Sequence, residues 1–170
     1  MNSIVMMGVA GCGKSSAGQA LASTLGLPLI EGDEFHPASN LDKMRQGLAL
    51  TDADRADWLS ALGLALAQHE GGAVLTCSAL KRTYRDRLRA QVPGLLFVFL
   101  DIDPATARQR VTARAGEHLF PPSLVDSQFS TLESPVGEPG VLRVDATQPL
   151  DQLSAVVANW LNQPQKEAFK

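Results

Sequence analysis

The sequence predicts a single α/β domain, a five-stranded parallel sheet with helices on both faces. Three observations carry this. Five short apolar runs alternate with segments of helical periodicity, the pattern of repeated strand–helix crossovers. A glycine-rich stretch, Gly8 to Ser15 (G-V-A-G-C-G-K-S), sits between the first run and the first helix. The 170 residues suffice for one substantial core, and 45% of them are hydrophobic.

In chain order, Ile4-Val5-Met6-Met7 reads as a buried strand. Ala17, Ala20, Leu21 and Leu25 then fall at helical spacing, with Gly26 as the stop. Leu27 to Ile30 is a second strand, followed by Glu31-Gly32-Asp33-Glu34-Phe35-His36-Pro37. Residues 38 to 54 read as polar and irregular. Thr51 and Asp54 form a capping box for a helix carrying Trp58, Leu59, Leu62 and Leu66 as core residues. After Gly71-Gly72 come a strand from Ala73 to Cys77 and a helix from Ser78 to Gln91, then a turn at Pro93-Gly94. Leu95 to Leu100 is a fourth strand, and Asp103-Pro104 starts a helix with a cap and an N1 proline. Gly116 to Pro122 is irregular, Ser123 to Glu133 helical, and Pro135 to Gly140 a loop. Val141 to Asp145 is the fifth strand, and Pro149 to Leu161 an amphipathic helix.

The chemistry starts at Gly8 to Ser15, which fits G-x-x-x-x-G-K-[ST], the phosphate-binding loop. Gly8, Gly11 and Gly13 give the backbone freedom to wrap a phosphate and aim N–H groups at it, Cys12 and Ser16 included. Lys14 is placed to neutralise β- and γ-phosphates, and Ser15 to offer its hydroxyl to Mg²⁺. The helix that follows adds the positive end of its dipole. Nucleotide, with ATP as donor, is the implied ligand.

Asp33 lies just past a strand end, where ligands gather in open α/β sheets. It either accepts a substrate hydroxyl's proton during phosphoryl transfer or caps the next helix. Arg55 occupies a first helical turn, where the dipole disfavours a cation; an anionic partner or plain solvation accounts for it. Lys81 follows the third strand's end, and Arg85 lies one turn on. Arg110 and Arg114 are four apart on one helix face, fit for a triphosphate or for solvent. Residues 34 to 70 and 110 to 133 are the expected flap and lid.

The net charge of −3 argues against a general nucleic-acid or membrane-surface binder. Cys12 and Cys77 are too few for a disulfide framework. No membrane-length apolar run or secretory leader is apparent, so a cytoplasmic protein is expected. His36, His69 and His118 have no metal-ligand spacing.

Taken together, the motifs resemble the gluconate kinase family, in the nucleoside-monophosphate-kinase-like branch of phosphate-loop folds. G-V-A-G-C-G-K-S is similar to the family's G-V-S-G-S-G-K-S, and Glu31 to Pro37 to its D-G-D-x-x-H-P. Asn40 to Leu59 follows N-x-x-K-M-x-x-G-x-x-L-x-D-x-D-R-x-x-W-L. Cys77 to Arg89 (C-S-A-L-K-R-T-Y-R-D-R-L-R) is the most distinctive piece; Ser127 to Glu133 and Val144 to Leu150 also fit. Glu31 departs from the family's aspartate, Cys12 from its serine, and Gly116 to Phe120 from its G-H-F arrangement.

The resemblance implies transfer from ATP to the 6-hydroxyl of D-gluconate. Asp33 would take the proton, and Asp33, His36, Arg55, Lys81 and Arg85 would line the acceptor site, with one of the three cations on the carboxylate. Arg110 and Arg114 would steady the transferring phosphoryl group, and Ser15 would hold the metal. A homodimer is common in the family. Rival readings are another small-molecule kinase of this fold, such as a shikimate or nucleoside-monophosphate kinase, a nucleotide-dependent regulatory switch, and a nucleic-acid-dependent ATPase.

Overall fold

A computed structural model describes residues 2–113 and 123–163. Five parallel strands form one sheet: β1 (Ile4–Met7), β2 (Leu29–Glu31), β3 (Val74–Thr76), β4 (Leu96–Asp101) and β5 (Val141–Asp145), in the order β2-β3-β1-β4-β5. Seven α-helices accompany them among the described residues: α1 (Lys14–Leu25), α2 (Ala38–Arg45), α3 (Asp52–Ala67), α4 (Arg82–Gln91), α5 (Pro104–Ala113), α6 (Leu124–Thr131) and α7 (Leu150–Asn162). The predicted fold class is therefore the observed one.

Alternation along the strands builds two cores. Ile4 and Met6 of β1, with Val98 and Leu100 of β4, face α1, α6 and α7 through Leu21, Val125 and Val157. Val5, Met7, Phe97 and Phe99 face the other way, onto Trp58, Leu59 and Leu62 of α3 and Leu88 of α4. A sheet covered on both faces is why these strands read as continuous apolar runs. The strand order reverses at β1, which lies between β3 and β4. Its carboxyl end is a topological switch point, where open α/β sheets bind ligands.

Element ends differ from expectation in two informative places. Residues 38–45 are helical, not irregular; Asp54 joins this helix to α3 by accepting from Lys43 Nζ at 2.9 and 2.8 Å. The predicted capping box is present: Asp54 N–H donates to Thr51 Oγ1 and Thr51 N–H to Asp54. The helix expected from Ser78 starts only at Arg82. Ser78 to Lys81 stays extended or turned because Ala79 has φ 47, a left-handed conformation costly for a residue with a Cβ.

Arg85 holds that loop. Its Nη1 donates to Ala79 O at 2.7 Å and Nη2 to Glu133 O at 3.0 Å, while Glu138 takes Nε and Nη2 at 3.0 and 2.7 Å. Burial raises the Glu138 carboxyl, but its bonds from Arg85 and Arg89 outweigh this and lower it overall. The side chain of Arg85 is wholly buried. The expectation that Arg85 lines the acceptor site is thus not met: its donors are taken up inside the protein. Arg85→Ala leaves Glu138 enclosed with half its partners. A loss of about 3–5 kcal/mol in urea-unfolding free energy is expected; a loss below about 1 kcal/mol, the range of an exposed pair, would refute the structural role.

Candidate active site

The phosphate loop leaves β1 at its carboxyl end and runs into α1. Gly13, at φ 91, supplies the left-handed residue immediately before the helix. At Gly11, a Cβ would meet Ala107 O of α5 at 2.6 Å, so only glycine fits that approach. Lys14 Nζ donates back to Gly8 O at 3.0 Å and Val9 O at 3.1 Å, folding over the loop. Cys12 is buried, and desolvation pushes its thiol above the usual range, which disfavours the reactive thiolate.

The loop floors a cleft of about 500 Å³, lined by Ala10 to Ala17, by Asp33, by Arg110, and by Ala146 with Gln148 to Leu150 and Leu153. A phosphate cradle at one end and an apolar wall at the other match a nucleotide's two halves. Arg110 leans across the loop. Its Nη1 donates to Gly11 O at 3.3 Å and Cys12 O at 3.5 Å, and Nη2 to Ala146 O at 3.4 Å. Arg114 and His118 lie outside the described residues, as does the expected lid segment from Gly116 to Pro122.

Glu31, read from the sequence only as a departure from the family's aspartate, lies against the loop. Its Oε2 accepts from Ser15 Oγ at 3.0 Å and from Thr76 Oγ1 at 2.7 Å. Ser15 spends its proton on Glu31, which leaves its lone pairs for a cation. A hydroxyl beside a carboxylate suits Mg²⁺, which prefers hard oxygen donors and shares its shell with phosphate. No group of three or more His, Cys, Asp or Glu capable of holding a metal occurs among the described residues. The signal available in the sequence was position: Glu31 ends β2, at the carboxyl end of the sheet where the loop also begins.

Asp33 stands in the short 3-10 turn Gly32–Phe35, shares the cleft with Lys14 and Ser15, and is about half exposed (51%). The Gly32 carbonyl accepts from Trp58 Nε1 at 2.8 Å, which anchors the turn to α3. His36 is buried and stacked on Trp58, with centroids 4.1 Å apart. Burial first, and then the Arg55 charge, lower its pKa to about 4, so the ring is neutral at pH 7. Asn40 Nδ2, which also donates to Asp54 O at 2.8 Å, lies 3.3 Å from His36 Nδ1. The amide can only donate from that nitrogen, which assigns the ring proton to Nε2, 3.9 Å from Asp33 Oδ1. His36 and Asp33 are therefore a dipole and a carboxylate, not an ion pair.

The three cations proposed for an acidic substrate separate cleanly. Arg85 is occupied, as described. Lys81 Nζ is bound to Asp52 at 3.0 Å and lies 5.7 Å from the centroid of the Tyr84 ring. Tyr84 also donates its hydroxyl to Asp52. Arg55 is 7% exposed, sits 5.4 Å from the Tyr84 centroid, and has no carboxylate partner among the described residues. Its Nε is buried with no hydrogen-bond partner among the described residues. A buried, unpaired guanidinium is costly unless a ligand completes it.

Comparison with known proteins agrees. A family model described as an AAA domain matches residues 4–135. A gluconokinase from Gluconobacter oxydans is 43% identical over 151 residues, 87% of this chain and 84% of that protein. The chain belongs to the gluconokinase family. The crystal structure of a gluconokinase from Sinorhizobium meliloti is 47% identical and superposes with a TM-score of 0.83 over 94% of this chain and 95% of that one. A sugar kinase from Janibacter, 36% identical, has a TM-score of 0.89 over 100% and 99%. No helix among the described residues is long and apolar enough to cross a membrane.

The His36 environment makes stability pH-dependent. The unfolded imidazole takes a proton near pH 6.5, the folded one only near 4, so between these values the unfolded chain binds more protons. Unfolding free energy should fall as pH drops through that window, and the slope should flatten in His36→Gln. Asp54, lowered to about 2 chiefly by Lys43, loses its contribution only at lower pH, from its ordinary 3.8 downward. Equal slopes for wild type and variant above pH 4 in urea titrations would contradict the assignment.

Proposed function

We propose that this protein transfers the γ-phosphoryl group of ATP to the 6-hydroxyl of D-gluconate, giving ADP and 6-phospho-D-gluconate. The observation that carries the reading is the pairing of a phosphate loop with Asp33 in one cleft, together with a buried arginine, Arg55, that has no carboxylate partner among the described residues. Family membership supports the choice of acceptor.

In this mechanism, backbone N–H groups of Gly11 to Ser15 hold the phosphates, and Lys14 leaves the Gly8 and Val9 carbonyls to neutralise them. Ser15, backed by Glu31, would hold Mg²⁺, which would supply positive charge against the phosphates. Asp33 accepts the hydroxyl proton as the acceptor oxygen bonds to the γ-phosphorus and the bond to the β,γ-bridging oxygen breaks. His36, neutral and held by Asn40 and Trp58, points Nε2–H toward Asp33 and keeps it aligned. Arg110 contacts the nucleotide from above the loop. Arg55 is assigned the acceptor's carboxylate because it alone of the three candidate cations has no acidic partner among the described residues; Lys81 and its Asp52 partner serve at the rim.

ADP release from Mg-ATP should depend on D-gluconate and not on shikimate, AMP or glucose; release with another of these acceptors would move the substrate, and none at all would remove the kinase reading. Lys14→Ala should abolish turnover. Asp33→Asn should lower kcat by about 10²–10⁴-fold with ATP affinity nearly unchanged. Arg55→Met should raise the KM for gluconate by about 10–150-fold, the worth of a charge-assisted hydrogen bond; an unchanged KM would return the carboxylate to Lys81.

A further inference from the structure

One side chain outside both ligand sites touches each of them. Gln128 of α6 is 5% exposed, and its Oε1 accepts from the backbone N–H of Ala10, inside the phosphate loop, at 2.6 Å. A backbone N–H only donates, so the amide oxygen is turned to the loop and the NH₂ group away from it. That NH₂ forms no hydrogen bond among the described residues. Gln128 also lines a cavity of about 20 Å³ together with Arg55, Met44 and Leu50, room for about one water. Two buried side chains, Gln128 and Arg55, thus line this cavity, and Arg55 Nε is buried without a hydrogen-bond partner among the described residues.

We propose that Gln128 is a positioning residue that ties acceptor binding to the shape of the phosphate loop. Its NH₂ and the Arg55 guanidinium line the same cavity, whose water-sized volume suits a single oxygen of the acceptor's carboxylate. Its carbonyl meanwhile holds Ala10, next to the Gly8 and Val9 carbonyls that restrain Lys14. Filling the cavity therefore pulls on the segment that grips the nucleotide. This rests on the gluconate-kinase reading and adds to it a residue that senses both substrates.

Two substitutions split the two halves of the amide. Gln128→Glu keeps an oxygen for Ala10 but replaces the donor with a carboxylate facing Arg55. ATP affinity without acceptor, by calorimetric titration, should stay within about threefold, while the KM for gluconate rises by about tenfold or more. Gln128→Met removes both functions: ATP should bind about tenfold more weakly and kcat should fall with it. An unchanged gluconate KM in Gln128→Glu, or wild-type ATP affinity in Gln128→Met with only a lower Tm, would reduce Gln128 to a packing residue. If Gln128→Met does not fold, Gln128→Glu decides alone. Absence of gluconate-dependent turnover in the wild type is a separate outcome, against the acceptor and not against the coupling.

Discussion

A strand must become a helix within six residues while keeping its N–H groups free for an anion, and most of the site follows from that constraint. Between Met7 and Lys14 the backbone turns without forming regular structure. Its unmet donors need either a ligand or a neighbour. Gln128 meets the one at Ala10, and the loop after β3 meets the one at Gly8 through Ser78 O at 3.3 Å. The N–H groups further along, at the mouth of α1, are left for phosphate. Lys14 and Arg110 lie against loop carbonyls, which keeps positive charge over the cradle.

Arginine does opposite work at two buried places. Arg85 is fully enclosed, paired with Glu138, and bonded to two carbonyls, so it fixes the turn that carries Ala79 and Lys81. Arg55 is nearly as buried yet has no carboxylate partner among the described residues, and its charge adds to burial in lowering the pKa of His36. A folded chain tolerates such an orphan charge when a ligand is the missing partner. The contrast gives Arg85 a structural role and is the ground on which recognition is proposed for Arg55, although both lie in helices flanking the same loop region.

Architecture was legible because it rests on local pattern. Apolar runs marked all five strands, Gly26 closed α1 in a left-handed conformation, and Thr51 with Asp54 capped α3. The phosphate loop was legible because its chemistry needs a fixed residue order. What stayed hidden depended on long-range contacts. Periodicity placed Arg85 and Lys81 on one helix face, but Ala79's positive φ delays the helix and Glu138, 53 residues away, claims the guanidinium. Residues 38–45 looked irregular because α2 has few apolar positions; it is held by Lys43 to Asp54 and by Asn40 to His36. Glu31 and Gln128 lie in the family-like stretches Glu31 to Pro37 and Ser127 to Glu133, but those stretches assign neither a partner; Ser15 and Ala10 reach them only through the fold.

The central claim is that the acceptor lies between Asp33 and Arg55, with its reactive hydroxyl toward the phosphate loop. A crystal structure with D-gluconate, Mg²⁺ and a non-hydrolysable ATP analogue tests it directly. The 6-hydroxyl should lie within hydrogen-bonding distance of an Asp33 oxygen, and the carboxylate on the Arg55 guanidinium. Gluconate bound in the reverse sense, with its carboxylate toward the phosphates and Arg55 still without an anion, would contradict the account.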